Sequence, residues 1–541
     1  MNDSALEPRV AEAPPPAPDA AAAVDEHHDD EIRPYRIHVS SKYLELTKRK
    51  LELTRLPHDV VEPKAAEMWE PKPQVEPLID YWLEHFDWRE QENRLNDALP
   101  QFRTSLAVPG TPARARLHFV HVSSSRPSAV PLLLLPPFPF TGLSLGHLVA
   151  PLTEPEGDET QPFNVVIPSL PGLGFSDALP GDAPAVPATA SMLDALMNRL
   201  GYEHYIVSNA GSAAAGPATI DWQLATRLAT RHASSCIGTH LVDPILTAPT
   251  AGDNPWEWTR LAIARFLNSA IFGYTTEDLT ALARSPETIQ PTPNSKPSSL
   301  DIIEPNTLAF ALCDSPVGLL VLLLKSLRTL GPRKAFQPAD IVTMAMLAWL
   351  PGPEAALRYW AHCAAHPEPE NTASGVKPKV AVTVFLGGNS DNTTPVGNPD
   401  DVELANLPAP APRRYVCPAW ASRRFNVLHA ARTAGEPGLV AWERPESIVS
   451  GIAALAKQLV KSDKRLQPVA PLEEVVADAA PEEPKSTPAG RDTLKPPPMV
   501  QHTSSETRIG DGDAPGDIDV ASPKTLVTSP GGSPSPLPVK E

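Results

Sequence analysis

Two side chains in the stretch from Tyr205 to Trp222 could do nucleophilic chemistry, Ser212 and Asp221. A β-branched run, Tyr205-Ile206-Val207, breaks into the small-residue turn Ser208-Asn209-Ala210-Gly211-Ser212-Ala213, and a helical pattern starts at about Thr219. A strand that enters a small-residue turn and leaves as a helix lets one reactive side chain stand clear of the backbone. The turn holds no carboxylate or thiol, so Ser212 is its nucleophile candidate. A serine there needs tight-turn glycines and a histidine base, and Asn-Ala-Gly-Ser-Ala matches such a turn only loosely. The plainer expectation for Ser212 is a solvent-facing turn serine. Asp221 could attack as a carboxylate, but Ile220 and Gln223 crowd a place where a tight turn needs small neighbours. The plainer expectation for Asp221 is a first-turn helix acid favoured by the helix dipole. His429 reads as a core or edge histidine on a strand, and Asp391, among Asn389, Ser390 and Asn392, as a turn residue.

The elements that must position these groups follow an alternating pattern. Pro34 to Val39 reads as a short strand, and Ser40 or Ser41 can cap the helix after it. Leu78, Ile79, Trp82, Leu83 and Phe86 recur at helical spacing. Strands are expected at 117–122, 130–135, 164–168, 205–207 and 237–242, with a helix over 190–200. From about Pro249 to Glu370 the pattern turns helical, including 308–330 and 341–360. Strands resume at 380–385 and 424–428, and a helix closes the series at 445–460. Strands and helices that alternate, pause for a helical insertion and alternate again fit a parallel sheet bearing a cap.

The composition limits the function classes. The chain has 541 residues, 66 of them proline, and a net charge of −18 at pH 7. That acidity weighs against a nucleic-acid partner, because phosphate binding needs a basic surface. The four cysteines, Cys236, Cys313, Cys363 and Cys417, lie far apart with no C-x-x-C spacing, and are expected as buried free thiols without a metal. No apolar run approaches the ~20 residues of a spanning helix, and no basic, apolar leader opens the chain. A cytoplasmic, soluble protein is the expectation. The Ala-, Pro- and acid-rich ends, 1–33 and 462–541, are expected to be disordered.

Several motifs together carry a resemblance. They are Arg55-Leu56-Pro57, Tyr81-Trp82-Leu83 running to Asp87-Trp88-Arg89, and Leu99-Pro100-Gln101-Phe102. To these add Pro168-Ser169-Leu170-Pro171-Gly172-Leu173-Gly174-Phe175-Ser176 and Asp314-Ser315-Pro316-Val317-Gly318-Leu319. From about Pro34 to Val460 the chain resembles the microsomal-type epoxide hydrolases, especially their fungal relatives. The resemblance implies an α/β-hydrolase fold with a helical cap and an N-terminal extension. The implied domains are an epoxide-hydrolase N-terminal-type domain over 34–125, the first half of the core over 126–250, the cap over 251–372 and the second half of the core over 373–461.

The same resemblance implies a catalytic set, most of which is missing. In the family an Asp carboxylate opens the epoxide to an alkyl-enzyme ester. A His, oriented by an acid, then activates the water that clears it, and two lid tyrosines hold the epoxide oxygen. Gly211 stands at the position of the nucleophile, Gly438 at that of the His, and Gly388 at about that of the supporting acid. Pro297 and Trp360 stand near those of the lid tyrosines. The oxyanion turn, His-Gly-x-Pro in the family, reads Pro136-Pro137-Phe138-Pro139. The expectation is therefore a catalytically silent family member, needing no cofactor and keeping a remodelled pocket for a small apolar ligand, lined by Phe138, Trp349 and Trp360. Two alternatives stay open: an active enzyme, opening epoxides through a displaced Asp221 or esters through Ser212, and a domain that serves as scaffold for a Pro-rich tail binding a protein partner.

Overall fold

The computed structural model describes residues 30–58, 72–157, 160–181, 183–213, 219–285, 304–329, 336–368, 377–387 and 415–466. Gly388, Pro297 and Asp391 lie outside them, as does most of both ends.

Among the described residues nine strands form one sheet, in the order β1-β2-β3-β5-β4-β6-β7-β8-β9. β1 (Arg33–Pro34), β2 (Gln101–Ala107) and β3 (Arg114–Val122) run antiparallel to one another, and β3 pairs antiparallel with β5 (Phe163–Pro168). From β5 onward the pairing is parallel through β4 (Val130–Leu135), β6 (Tyr205–Asn209), β7 (Cys236–Val242), β8 (Lys379–Phe385) and β9 (Asn426–Thr433). The continuous apolar run of β4 has the physical cause expected of it. Leu132 and Leu134 join the core on one face of the sheet, and Leu133 and Leu135 join the core on the other.

Helices cover both faces. Toward the N-terminus lie α1 (Ser41–Glu52), α2 (Lys72–Glu84), α3 (Trp88–Ala98) and the short α4 (Val149–Thr153). α5 (Ala185–Arg199) and α6 (Thr219–Arg231) pack on the Leu133 face. A helical run follows β7: α7 (Pro255–Leu267), α8 (Thr276–Arg284), α9 (Pro305–Leu312), α10 (Pro316–Thr329), α11 (Pro338–Trp349) and α12 (Glu354–Ala365). α13 (Val440–Glu443) and α14 (Pro445–Ser462) close the order, with Ile448, Ile452 and Leu455 of α14 in the core of the Leu132 face. α14 sits close on β7. A Cβ added at Gly451 would lie 2.1 Å from Nε2 of His240, so only glycine fits beneath that ring.

Several expected elements differ. Only Arg33–Pro34 pairs as a strand where 34–39 was expected. Side chains of α3 take the backbone groups that a neighbouring strand would have taken. The N–H of Ile37 donates to Asn96 Oδ1 (2.7 Å), that of Val39 donates to Glu92 Oε1 (2.6 Å), and Arg89 donates to the Val39 carbonyl (2.6 Å). α3 and β2 themselves were not foreseen. β6 runs on through Ser208 and Asn209, so the turn starts two residues later than expected. The helical patterns 308–330 and 341–360 are each broken, at Cys313–Ser315 before Pro316 and at 350–353 around Pro351-Gly352-Pro353.

The boundaries of the ends shift as well. Asp30 already pairs with Arg199 (3.0 Å) and Arg114. At the other end Asp463 pairs with Lys379 (3.0 Å) and Leu466 is buried. All four cysteines are free, but Cys313 is exposed rather than buried. α8 is tied to β9 through Asp278, which is fully buried and receives both Nε and Nη2 of Arg432 at 2.8 Å and the hydroxyl of Tyr415 at 2.5 Å. Burial by itself would raise the Asp278 pKa. The hydrogen bonds from Arg432, Tyr415 and Thr275 outweigh burial and hold it below the usual carboxylate value.

Candidate functional site

The turn after β6 is held by Asn209. Its amide donates to the Gly211 carbonyl (2.7 Å) and to that of Val242 (3.3 Å), and accepts from the Val242 N–H (2.9 Å). The turn is thereby stapled to the end of β7, with Ala210, Gly211, Ser212 and Ala213 buried. Ser212 is not the solvent-facing serine expected. It is 4% exposed and its hydroxyl donates to Asp243 Oδ2 at 2.5 Å.

Asp221 lies in the first turn of α6, as the helical pattern predicts, but it is wholly buried. Its Oδ2 accepts the backbone N–H of Gly211 at 3.1 Å, and its Oδ1 has no hydrogen-bond partner among the described residues. Burial pushes its pKa up to about 8, against the opposing pull of the N–H groups of Gly211 and Trp222, its own N–H and the Asn209 side chain. The helix-dipole reading is corrected on this point: desolvation, rather than the favourable helix end, decides the charge state. A carboxylate nucleophile must be ionised to attack, and Asp221 holds its proton at neutral pH.

The two fully buried histidines of the sheet serve the sheet. His240 on β7 shares hydrogen bonds with Ser208 of β6 and Thr383 of β8, both at 2.9 Å. Burial, helped by the charge of His429, lowers its pKa to about 3. His118 on β3 bonds Ser169 (3.0 Å) and Gln101 (3.1 Å), and burial brings it to about 3 as well, with Arg103 contributing. His429 lies on β9, as the sequence suggests.

Gly438 stands in the loop between β9 and α13 with φ +60°. A Cβ there would lie 2.3 Å from Oε2 and 2.8 Å from Cδ of Glu443. Glu443 is itself anchored, its Oε1 accepting the Leu439 N–H at 3.1 Å. The backbone is left-handed and a carboxylate fills the side-chain space, so Gly438 accepts no side chain as it stands. Sequence reasoning did not single out Glu436 in the same loop. Its Oε1 would lie 3.2 Å from a Cβ on Gly387, just past the end of β8. Its nearness in sequence to Gly438 was the available signal.

The turn after β4 brings the aromatic residues together. Phe138 is buried, with its ring stacked on Tyr359 (6.0 Å between centroids) and edge-on to Trp360 (5.9 Å). Tyr359 was overlooked as the phenol next to the expected lid position. Its hydroxyl donates to Thr189 at 3.0 Å. Pro136, Pro137 and Pro139 carry no N–H, so the turn offers one backbone donor, that of Phe138, where an oxyanion needs several.

Beside this turn lies a cavity with about 740 Å³ of empty space, counting its mouth open to solvent. Its wall is built by Phe138, Pro139 and Thr141 of the turn, Leu173 and Gly174, and residues of α10, α11 and α12 that include Leu323, Leu347 and Trp360. Among the described residues no side chain of Asp, Glu, His, Lys, Arg, Tyr or Cys lines it, and neither Ser212, Asp221, Gly211 nor Gly438 reaches the wall. Trp349 was expected there. Instead its indole donates to Thr47 of α1 at 2.8 Å. No group of three or more His, Cys, Asp or Glu among the described residues is placed to hold a metal ion.

The chain is similar to known epoxide hydrolases. A family model described as "Epoxide hydrolase N terminus" matches residues 32–145. A putative epoxide hydrolase of Stigmatella aurantiaca is 31% identical over 296 residues, 53% of this chain and 58% of that protein. Epoxide hydrolase 1 of Sus scrofa is 26% identical over 345 residues, 60% of this chain and 70% of that protein. The chain thus spans little more than half the length of the bacterial relative. Among solved structures, the Aspergillus niger epoxide hydrolase superposes with a TM-score of 0.55 at 21% identity, over 80% of this chain and 97% of that one. The juvenile hormone epoxide hydrolase of Bombyx mori gives 0.56 at 20%, over 82% and 97%. These structures share the fold described above.

Proposed function

We propose that this chain, which belongs to the epoxide hydrolase family and has its α/β-hydrolase fold, binds a small apolar molecule without hydrolysing it. On this reading 34–125 is the N-terminal domain, 126–250 and 373–461 are the two halves of the core, and 251–372 is the cap. The observation that carries the reading is the cavity wall, which among the described residues has no ionisable side chain. Opening an epoxide needs a nucleophile against the substrate, a base for the water and donors for the oxygen. Here the carboxylate of Asp221 is buried behind Gly211, and burial pushes its pKa up to about 8. The loop where a base would stand carries Gly438 against Glu443, and the oxyanion turn is mostly proline. What the cavity offers a ligand is apolar contact, with Trp360 and Phe138 at one end and leucines of α10 and α11 along the side.

The test is binding of a neutral fluorescent probe, Nile red, to the purified chain. Saturable enhancement is expected, and Leu323→Trp, which fills the space between α10 and the turn, is expected to abolish it while circular dichroism stays unchanged. Enhancement equal in both proteins would place the probe elsewhere and defeat the reading.

One observation favours a second reading. Ser212 sits at the turn with its hydroxyl on Asp243, an acid directly on a potential nucleophile. In that reading the chain is an esterase, and its activity toward p-nitrophenyl acetate disappears in Ser212→Ala.

A further inference from the structure

The cavity has one polar end. Thr141 is 5% exposed and forms part of the wall, and its Oγ1 is buried with no hydrogen-bond partner among the described residues. A Cβ added at Gly174 would lie 3.0 Å from Thr141 Cγ2, so the methyl packs close to the Gly174 backbone. Ser144, one turn on and also on the wall, donates its N–H to the Thr141 carbonyl at 3.1 Å, so the two hydroxyl-bearing residues stand together. The third hydroxyl of the wall, that of Ser326 on α10, already donates to the Leu322 carbonyl at 2.9 Å. Apart from the Trp360 indole, the remaining wall side chains among the described residues are apolar.

Buried hydroxyls in folded proteins are nearly always paired, and one left unpaired is destabilising until something bonds it. A charged ligand group brought here would lose its hydration with no counter-charge on the wall among the described residues. We propose that the cavity selects a neutral, largely apolar molecule carrying one hydroxyl or carbonyl oxygen, seated with that oxygen against Thr141 and Ser144. The inference rests on the binding reading above and adds to it a ligand class and an orientation.

Three ligands of one skeleton test it: 6-phenylhexan-1-ol, hexylbenzene and 6-phenylhexanoate, each displacing Nile red at pH 7.5. The alcohol is expected to displace the probe at concentrations about ten-fold lower than the hydrocarbon, the scale of one hydrogen bond, and the carboxylate to be the weakest of the three. In Thr141→Val/Ser144→Ala the hydrocarbon should bind as before and the advantage of the alcohol should vanish. The change is nearly isosteric, and the retained hydrocarbon affinity itself reports that the cavity has survived. Equal affinity of alcohol and carboxylate would overturn the inference. So would an advantage of the alcohol that persists in the double variant. If Nile red and all three ligands fail to bind, the binding reading falls first and the inference falls with it. If Nile red binds and the three ligands do not discriminate, the inference alone is lost.

Discussion

The carboxylate of Asp221 accepts the backbone N–H of Gly211 at 3.1 Å, so this buried acid is bound to the residue that the family resemblance puts at the nucleophile position. The acid lies beneath the turn, with one oxygen bonded and the other buried with no partner among the described residues.

A stability profile follows from that burial. The folded pKa of Asp221, about 8, is above its value of 3.8 when unfolded. Between those values the native state keeps a proton that the unfolded state has released, so stability falls as pH rises through this window and levels off above it. The full effect is on the order of 5 kcal/mol. Asp221→Asn removes the titration. Its melting temperature is expected to match that of the wild type near pH 4 and to exceed it by a few degrees or more at pH 9. A variant less stable than the wild type at pH 7–9 would mean that Asp221 is ionised in the fold, as a nucleophile requires.

The Gly438–Glu443 contact gives a second prediction. Gly438→Ala places a Cβ in a left-handed backbone position and against a carboxylate. We expect it to cost about 1–3 kcal/mol in urea unfolding. In a Glu443→Ala background the collision is gone and only the backbone strain remains, so the cost should fall by roughly 0.5 kcal/mol or more. Strict additivity of the two changes would show that Glu443 does not occupy the space.

Asp278 and Arg432 give a third. Asp278→Ala leaves Arg432, whose side chain is 13% exposed, without its partner, and breaking such a pair typically costs about 3–5 kcal/mol. Because the folded pKa of Asp278 is depressed, its contribution is present above the unfolded value of 3.8 and is lost as pH falls through the folded value. The penalty measured at pH 7 should therefore shrink as the pH is lowered below 3.8. A penalty independent of pH would assign the effect to packing alone.

Much of the sheet was legible because β4, β5 and β8 are short runs dominated by apolar residues, as strands covered on both faces require, and their length is that of strands. β2 and α3 were not. β2 is interrupted by polar residues, and its neighbour α3 offers Glu92 and Asn96 to a backbone segment more than fifty residues away. The breaks in the long helical patterns could have been read, since Pro316, Pro351 and Pro353 mark them. At the site, the glycines and prolines of the turns are visible in sequence. The burial of Ser212 is not, because Asp243 comes from the end of the next strand. The ionisation of Asp221 depends on the packing around α6, and the sequence shows only that it begins a helix.

The central claim is that this fold holds a ligand without turning it over. The most direct test is hydrolysis of styrene oxide by the purified chain between pH 5 and pH 9, with the diol quantified. General acid–base catalysis typically contributes ~10²–10⁴-fold, and a single oxyanion donor ~10²–10³-fold. With no ionisable side chain on the cavity wall among the described residues, no diol above the buffer blank is expected at any of these pH values. Diol formation that disappears in Asp221→Asn or Ser212→Ala, with the fold intact by circular dichroism, would contradict the account and make the residue lost the nucleophile.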